Sequence, residues 1–295
     1  MFLVLGEPIT GDSELLPASF RNRGHEVLII PDLTPKTKFV LRISTSATSC
    51  ELHLDDGRSF SDKQFDGAVV QKPPRIRSDL PNIGQEEYAR SEKNAALFAW
   101  LWNLKCPVVN RYPPIFWSST RVPLPFFRQV LSQCKLDVAD TALSNASSEL
   151  RRFASNVSGQ IRYTPLSSAK SYPIETANDW VGLSKMAELC PVNLMQVVPP
   201  IYTACVVGDT VYWNQAVPPV LTDLEGSLVR LAIVARLSFM EIQLLVAKDT
   251  PRVCSIEAFP SLAKFDSGTR ELIADALLRM LVTGKLTSGA RKPLV

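Results

Sequence analysis

The stretch Leu189-Cys190-Pro191-Val192-Asn193-Leu194-Met195-Gln196, followed by Ala204-Cys205-Val206-Val207-Gly208-Asp209-Thr210-Val211-Tyr212-Trp213, decides how the chain is read. Its first part, Pro191 to Val198, reads as a strand that leads into the second part. Its second part is two β-rich runs separated by Gly208-Asp209, a two-residue hairpin signal, because Gly supplies the positive φ that such turns require. A buried strand running into a hairpin therefore lies in the C-terminal half of a chain of 295 residues.

Downstream, residues 228 to 235 carry helical spacing. Met240 to Ala247 and Arg252 to Ala258 read as two strands around the turn Lys248-Asp249-Thr250-Pro251. A last helix over 269 to 282 is expected to bury Leu272, Ala276, Leu277 and Met280, with a frayed tail from Lys285 to Val295. Residues 216 to 226 read as an irregular apolar loop. Upstream, residues 124 to 134 and 146 to 155 are helical, 136 to 143 one strand, and Gln160 to Thr164 another.

The N-terminal third is of a different kind. Phe2 to Leu5, a helix from Ser13 to Arg23, a capping Gly24 and the strand Val27 to Ile30 make a βαβ unit, whose glycines do not match GxGxxG. Asp55-Asp56-Gly57-Arg58 makes a hairpin turn within residues 39 to 60. Asp66 to Val70 is a core strand opening into the polar loop Gln71 to Arg77. Glu86 to Leu104 is a helix with Leu97, Trp100, Leu101 and Leu104 on one face. The strand Pro107 to Asn110 precedes Arg111-Tyr112-Pro113-Pro114, where the first domain is expected to end.

The totals exclude several classes. A net charge of +3 with no basic run argues against a nucleic-acid partner. No stretch reaches the ~20 apolar residues that span a bilayer. The apolar N-terminus lacks a basic leader and reads as a strand rather than a signal peptide, so a cytoplasmic protein is expected. The six cysteines form no CxxC pair and read as buried thiols. Two histidines leave little for a His-based triad or zinc site.

Four segments in this order resemble the ATP-grasp family, and within it the microviridin-type (graspetide) ligases that crosslink ribosomal peptides. They are Asp66 to Gln71 with Glu92 and Pro107 to Asn110, Leu189 to Gln196, Val206-Val207-Gly208-Asp209-Thr210-Val211, and Ser255-Ile256-Glu257-Ala258-Phe259-Pro260. The resemblance implies an α/β fold of ATP-grasp architecture: a pre-ATP α/β domain over 1–115, a small lobe over 116–199 and an antiparallel C-terminal lobe over 200–295. It also implies ATP and magnesium as cofactors of an active member, a peptide or small-molecule carboxylate as substrate, and a homodimer.

Phosphoryl transfer needs cations aimed at the phosphates and carboxylates that hold magnesium. On this resemblance the nucleotide set falls on Arg121, Lys170 and Gln196, with Arg121 in place of one lysine and Thr164 in place of the other. The flap Ser167 to Pro173 has no glycine. Val197 stands where an acidic residue is usual, and Thr203 where an arginine is. In the metal set Glu257 is retained, Phe259 replaces asparagine, and the aspartate position falls on Gln243, or on Glu241 if the register slips by two. Glu241 and Glu257 together are the candidate cation ligands. Lys72, Arg75 and Arg77, after a parallel strand's carboxyl end, are candidate substrate-binding cations.

Three readings follow: an eroded member that binds a peptide, a small molecule or a partner enzyme and needs no cofactor; an active divergent ligase; or the same fold serving an ATP-independent reaction.

Overall fold

The computed structural model describes residues 1–6, 14–77, 82–112, 124–166 and 171–284. In the N-terminal part, β1 (Phe2–Leu5), α1 (Leu15–Asn22) and β2 (Val27–Ile30) form the expected βαβ unit. Next come β3 (Asp32–Leu33), β4 (Lys38–Ile43), β5 (Thr48–His53), β6 (Ser59–Ser61), β7 (Gly67–Val70), β8 (Arg75–Ile76), α2 (Ile83–Asn103) and β9 (Val108–Val109). Strands β2-β1-β7-β9 form a parallel sheet, and β4-β5-β6 an antiparallel one. Every residue of β1 is buried, as a parallel strand covered on both faces should be. Arg111 donates from its guanidinium to the carbonyls of Leu101, Trp102, Leu104 and Cys106, closing the C-terminal end of α2 with a cation.

The middle part contains α3 (Leu124–Gln133), β10 (Asp137–Val138), β11 (Thr141–Ser144), α4 (Ser147–Asn156), β12 (Gln160–Tyr163), β13 (Tyr172–Pro173), α5 (Ala177–Leu189) and β14 (Val192–Val197). Its sheet is β11-β14-β12-β13, with Leu150 of α4 and Leu183 and Ala187 of α5 packed on one face. The C-terminal part contains β15 (Ile201–Val207), β16 (Thr210–Trp213), α6 (Pro219–Thr222), α7 (Glu225–Ala235), β17 (Phe239–Ala247), β18 (Thr250–Glu257) and α8 (Ser267–Thr283). Its sheet runs β10-β18-β17-β15-β16.

Several expectations are corrected. The strand expected over 136 to 143 is two strands in different sheets. β10 pairs parallel with β18, and β11 pairs antiparallel with β14. The apolar loop over 216 to 226 holds the short helix α6 and the start of α7. Helix α5 had no counterpart in the sequence reading. In α8 the buried face is Ile273, Ala274, Leu277, Leu278, Met280 and Leu281, whereas Leu272 is exposed. That shift follows from α8 crossing two bodies at once. Ile273, Leu277 and Leu281 join Phe2, Val69 and Val109 of the N-terminal sheet together with Cys205 and Val207 of β15. Five cysteines are buried and Cys190 is exposed. The polar loop 71–77 is partly strand, since β8 pairs parallel with β3. The boundary at 115, the flap residues Ser167 to Lys170 and the tail 285–295 lie outside the described residues.

One side chain joins the N-terminal sheet to the C-terminal one. The buried Asn110 carboxamide donates to the Phe239 carbonyl at 2.6 Å and accepts from the Phe239 N–H at 2.9 Å. It also donates to the Tyr112 hydroxyl at 3.0 Å, whose single proton is shared between the carbonyls of Ala258 (2.8 Å) and Val70 (3.2 Å). Asn110→Ala leaves two buried backbone groups of Phe239 without this partner, at about 1–3 kcal/mol each. We expect urea unfolding to report a loss of about 3 kcal/mol. A loss below about 0.5 kcal/mol, the scale of an ordinary surface substitution, would show that this bridge does not hold the sheets together.

Candidate functional site

Side chains alternate along β17. Met240, Ile242 and Leu244 pack with Leu228, Leu231 and Ala232 of α7, so Phe239, Glu241 and Gln243 lie on the opposite face. Strand register then sets out a polar block on that face. Thr203, Gln243 and Ser255 share one rung across β15, β17 and β18; Cys205, Glu241 and Glu257 share the next. All but Gln243 are buried. One rung further, Val207 and Phe239 are apolar and packed with α8.

Buried polar groups persist only when they are paired, and these are. Glu241, with no exposed surface, accepts from the Ser261 N–H at 3.0 Å, from the Gln243 amide at 3.1 Å and from the Lys264 ammonium. Glu257 accepts from the Ser255 hydroxyl at 2.8 Å. Burial pushes the Cys205 thiol well above its usual range, and the Glu241 charge adds to that.

The middle sheet presents a second face. Val192 and Leu194 pack under α4 and α5, which leaves Asn193, Met195 and Val197 on the other side. Thr141, Met195 and Arg162 share a rung there, and Leu143 sits opposite Asn193. Thr164 and Asn193 exchange hydrogen bonds at 2.9 Å. The Arg162 guanidinium donates to the Ser171 hydroxyl and carbonyl, both at 2.9 Å. The Asn193 Oδ1 is buried without a hydrogen-bond partner.

The residues expected from sequence are distributed as follows. Glu241 and Glu257 are brought opposite each other. Gln196 shares its face with Ile161, and its amide donates to the Ser158 carbonyl. Lys72 and Arg75 are exposed, and Arg77 is paired with Asp32 through Nε at 2.9 Å. A β-carbon at Gly6, where φ is +93°, would meet the Lys72 carbonyl oxygen at 1.8 Å, so this loop lies tight against the end of β1. Arg121 and Lys170 lie outside the described residues. Sequence reasoning missed Lys264, Ser261 and Asn193. Lys264 is separated from Glu241 by 23 positions, and no spacing signal marks it.

A cavity of about 470 Å³ is lined by Arg128, Ser132, Asp137, Asp140, Thr141 and Arg252. It opens near the start of β18, where Arg252 pairs with Asp140 at 2.5 Å. Glu257 ends that strand, so the cavity and the polar block do not coincide.

Among the described residues, the donors around Glu241 do not fit a magnesium ion. Both Glu241 oxygens already accept from protein donors, and Gln243 turns an amide donor toward them. Phe259 packs on the Tyr112 ring at 4.3 Å between centroids. Among the described residues, no three His, Cys, Asp or Glu side chains cluster to hold a metal ion. Thr164, in a lysine's expected place, offers a hydroxyl that lies 3.3 Å from that of Ser171.

A parallel N-terminal sheet, a small antiparallel lobe and a larger antiparallel lobe whose polar face ends in a glutamate define the ATP-grasp fold. Within that fold the chain resembles peptide-modifying ligases. It matches the macrocyclase MdnC of Microcystis aeruginosa MRC, solved with its precursor peptide MdnA, at TM-score 0.76 and 16% identity, over 96% of this chain and 100% of that one. A RiPP-associated ATP-grasp ligase of Chryseobacterium gregarium, solved with ADP and a leader and core peptide, matches at TM-score 0.75 and 13% identity over 99% of each chain. The ATP-grasp ligase PsnB with a minimal precursor matches at 0.69 and 18%, over 94% of this chain and 98% of that one. No protein-family model and no curated protein matches the sequence. No helix among the described residues is long and apolar enough to cross a membrane.

Two outcomes are expected of the thiols. Under native conditions Ellman's reagent should modify Cys190 quickly, and Cys50, Cys106, Cys134, Cys205 and Cys254 only on unfolding; rapid reaction of two or more would contradict the burial described. Burial also pushes the Cys106 thiol from 9.0 to about 11. The folded state therefore keeps its proton while the unfolded chain loses it, so stability is intact below pH 9 and declines as pH rises toward 11. Urea midpoints measured across that window should fall less steeply in Cys106→Ala than in the wild type.

Proposed function

We propose that this chain is an ATP-grasp-fold protein related to the carboxylate–amine and carboxylate–hydroxyl ligases of peptide natural-product biosynthesis, which has given up phosphoryl transfer and acts by binding. Its lobes on this reading are 1–115, 116–199 and 200–295, and the cleft between the second and third takes the ligand. The observation that carries the reading is the state of the acidic pair. Glu241 is neutralised from within by Lys264, beside a donating Gln243 and a Phe259 committed to the core. Phosphoryl transfer depends on cations placed against the phosphates, and losing one such donor costs roughly 10²–10³ in rate.

A peptide is the favoured ligand. The resembling proteins MdnC, PsnB and the Chryseobacterium ligase were each solved with a precursor or its leader and core.

A second reading, an active divergent ligase using ATP and magnesium through Arg121, Lys170, Glu241 and Glu257, is favoured by one observation. The two glutamates face each other across β17 and β18, and PsnB has been solved with magnesium and ADP. Calorimetric titration with Mg-ATP and with Mg-AMPPNP separates the two. We expect no saturable heat up to millimolar nucleotide. Saturable, magnesium-dependent binding with ADP release, abolished in Glu257→Ala, would replace the first reading with the second.

A further inference from the structure

Two carboxylates directly opposite each other on neighbouring strands, both buried, repel unless a positive charge or a proton stands by. In a protein of this fold a divalent cation is one solution. Here the protein supplies another. Lys264, in the short turn Leu262–Lys264 that follows β18, directs its ammonium onto Glu241 Oε1, which also accepts from the Gln243 amide. The other oxygen, Oε2, accepts from the Ser261 N–H at 3.0 Å. A divalent ion would need those same lone pairs, at about 2.0–2.6 Å and in a fixed geometry.

The segment that brings Lys264 into place is itself anchored. Leu262 and Phe265, on either side, are buried in the cluster beneath α8. Lys264 is therefore held near the pair by the backbone, whereas its side chain remains 38% exposed on the outer side.

We propose that Lys264 is a built-in cation that does at the Glu241–Glu257 pair what a divalent metal would otherwise do, and that this site consequently excludes divalent ions. The inference deepens the binding reading above and takes from it the identity of the cleft. It adds that whatever ligand enters does so without a divalent ion on the pair, with the Lys264 ammonium as a positive charge on this wall.

The test uses Mn²⁺ alone, followed by the loss of its free-ion electron paramagnetic resonance signal, on the full chain and its variants. Wild type should show no stoichiometric site. Lys264→Met, with its fold checked by circular dichroism, should gain one Mn²⁺ site about tenfold or more tighter than wild type, and Lys264→Met with Glu257→Gln should lose it. Lys264→Arg, which keeps the charge, should behave as wild type. A stoichiometric wild-type site abolished by Glu257→Gln overturns the proposal, and so does a folded Lys264→Met that gains none. If Lys264→Met does not fold, the comparison of wild type with Glu257→Gln decides alone. The two proposals fail separately. Nucleotide turnover without a wild-type Mn²⁺ site removes the binding reading and leaves Lys264 as the cation. A wild-type Mn²⁺ site without nucleotide binding does the reverse.

Discussion

The carboxamide of Asn110 pairs with both backbone groups of Phe239, a contact between residues 129 positions apart. Through Tyr112 the same network reaches the carbonyls of Val70 and Ala258. It therefore ties the exits of two parallel strands to one end of the strand pair carrying the glutamates, where β17 begins and β18 finishes. A hydrogen-bonded network in a dry interior is directional in a way apolar packing is not, so it fixes how the N-terminal sheet meets the C-terminal one. Helix α8 then seals that junction, burying residues against both sheets.

With this geometry fixed, the chemistry follows from strand register. The rungs Thr203–Gln243–Ser255 and Cys205–Glu241–Glu257 fall on the face that α7 does not cover. A register slip of one residue in β17 would turn Glu241 and Gln243 toward the apolar core. The pairing thus makes the platform polar, and side-chain identity decides what it can bind. The Lys264 ammonium and the Gln243 amide crowd Glu241, and a ring occupies position 259, so Glu241 finds its partners within the protein.

The elements legible in the sequence were those with local causes. The βαβ opening, the Gly208-Asp209 hairpin and the Leu97-Trp100-Leu101 face of α2, with Leu104 buried just past its end, each follow from periodicity or a turn residue, and each is present. Elements with distant causes were not. Residues 136 to 143 look like one strand, because nothing local says that the chain crosses from the β18 edge, where the Ala139 N–H still bonds Val253, to β14, where the Asp140 carbonyl accepts from Gln196. The α8 face was misplaced because two sheets, not one, choose which of its residues are buried.

By itself the sequence carried the resemblance that implies an ATP-grasp architecture, in the order of its strands and turns, and supplied two glutamates spaced to share one face of adjacent strands. Only the tertiary structure decided what those glutamates meet. Lys264 and Ser261 reach Glu241 from the turn after the next strand, and no periodicity within a single element encodes a contact between elements. A carboxylate's role is set by which charge stands beside it, and that charge is placed by the folded backbone.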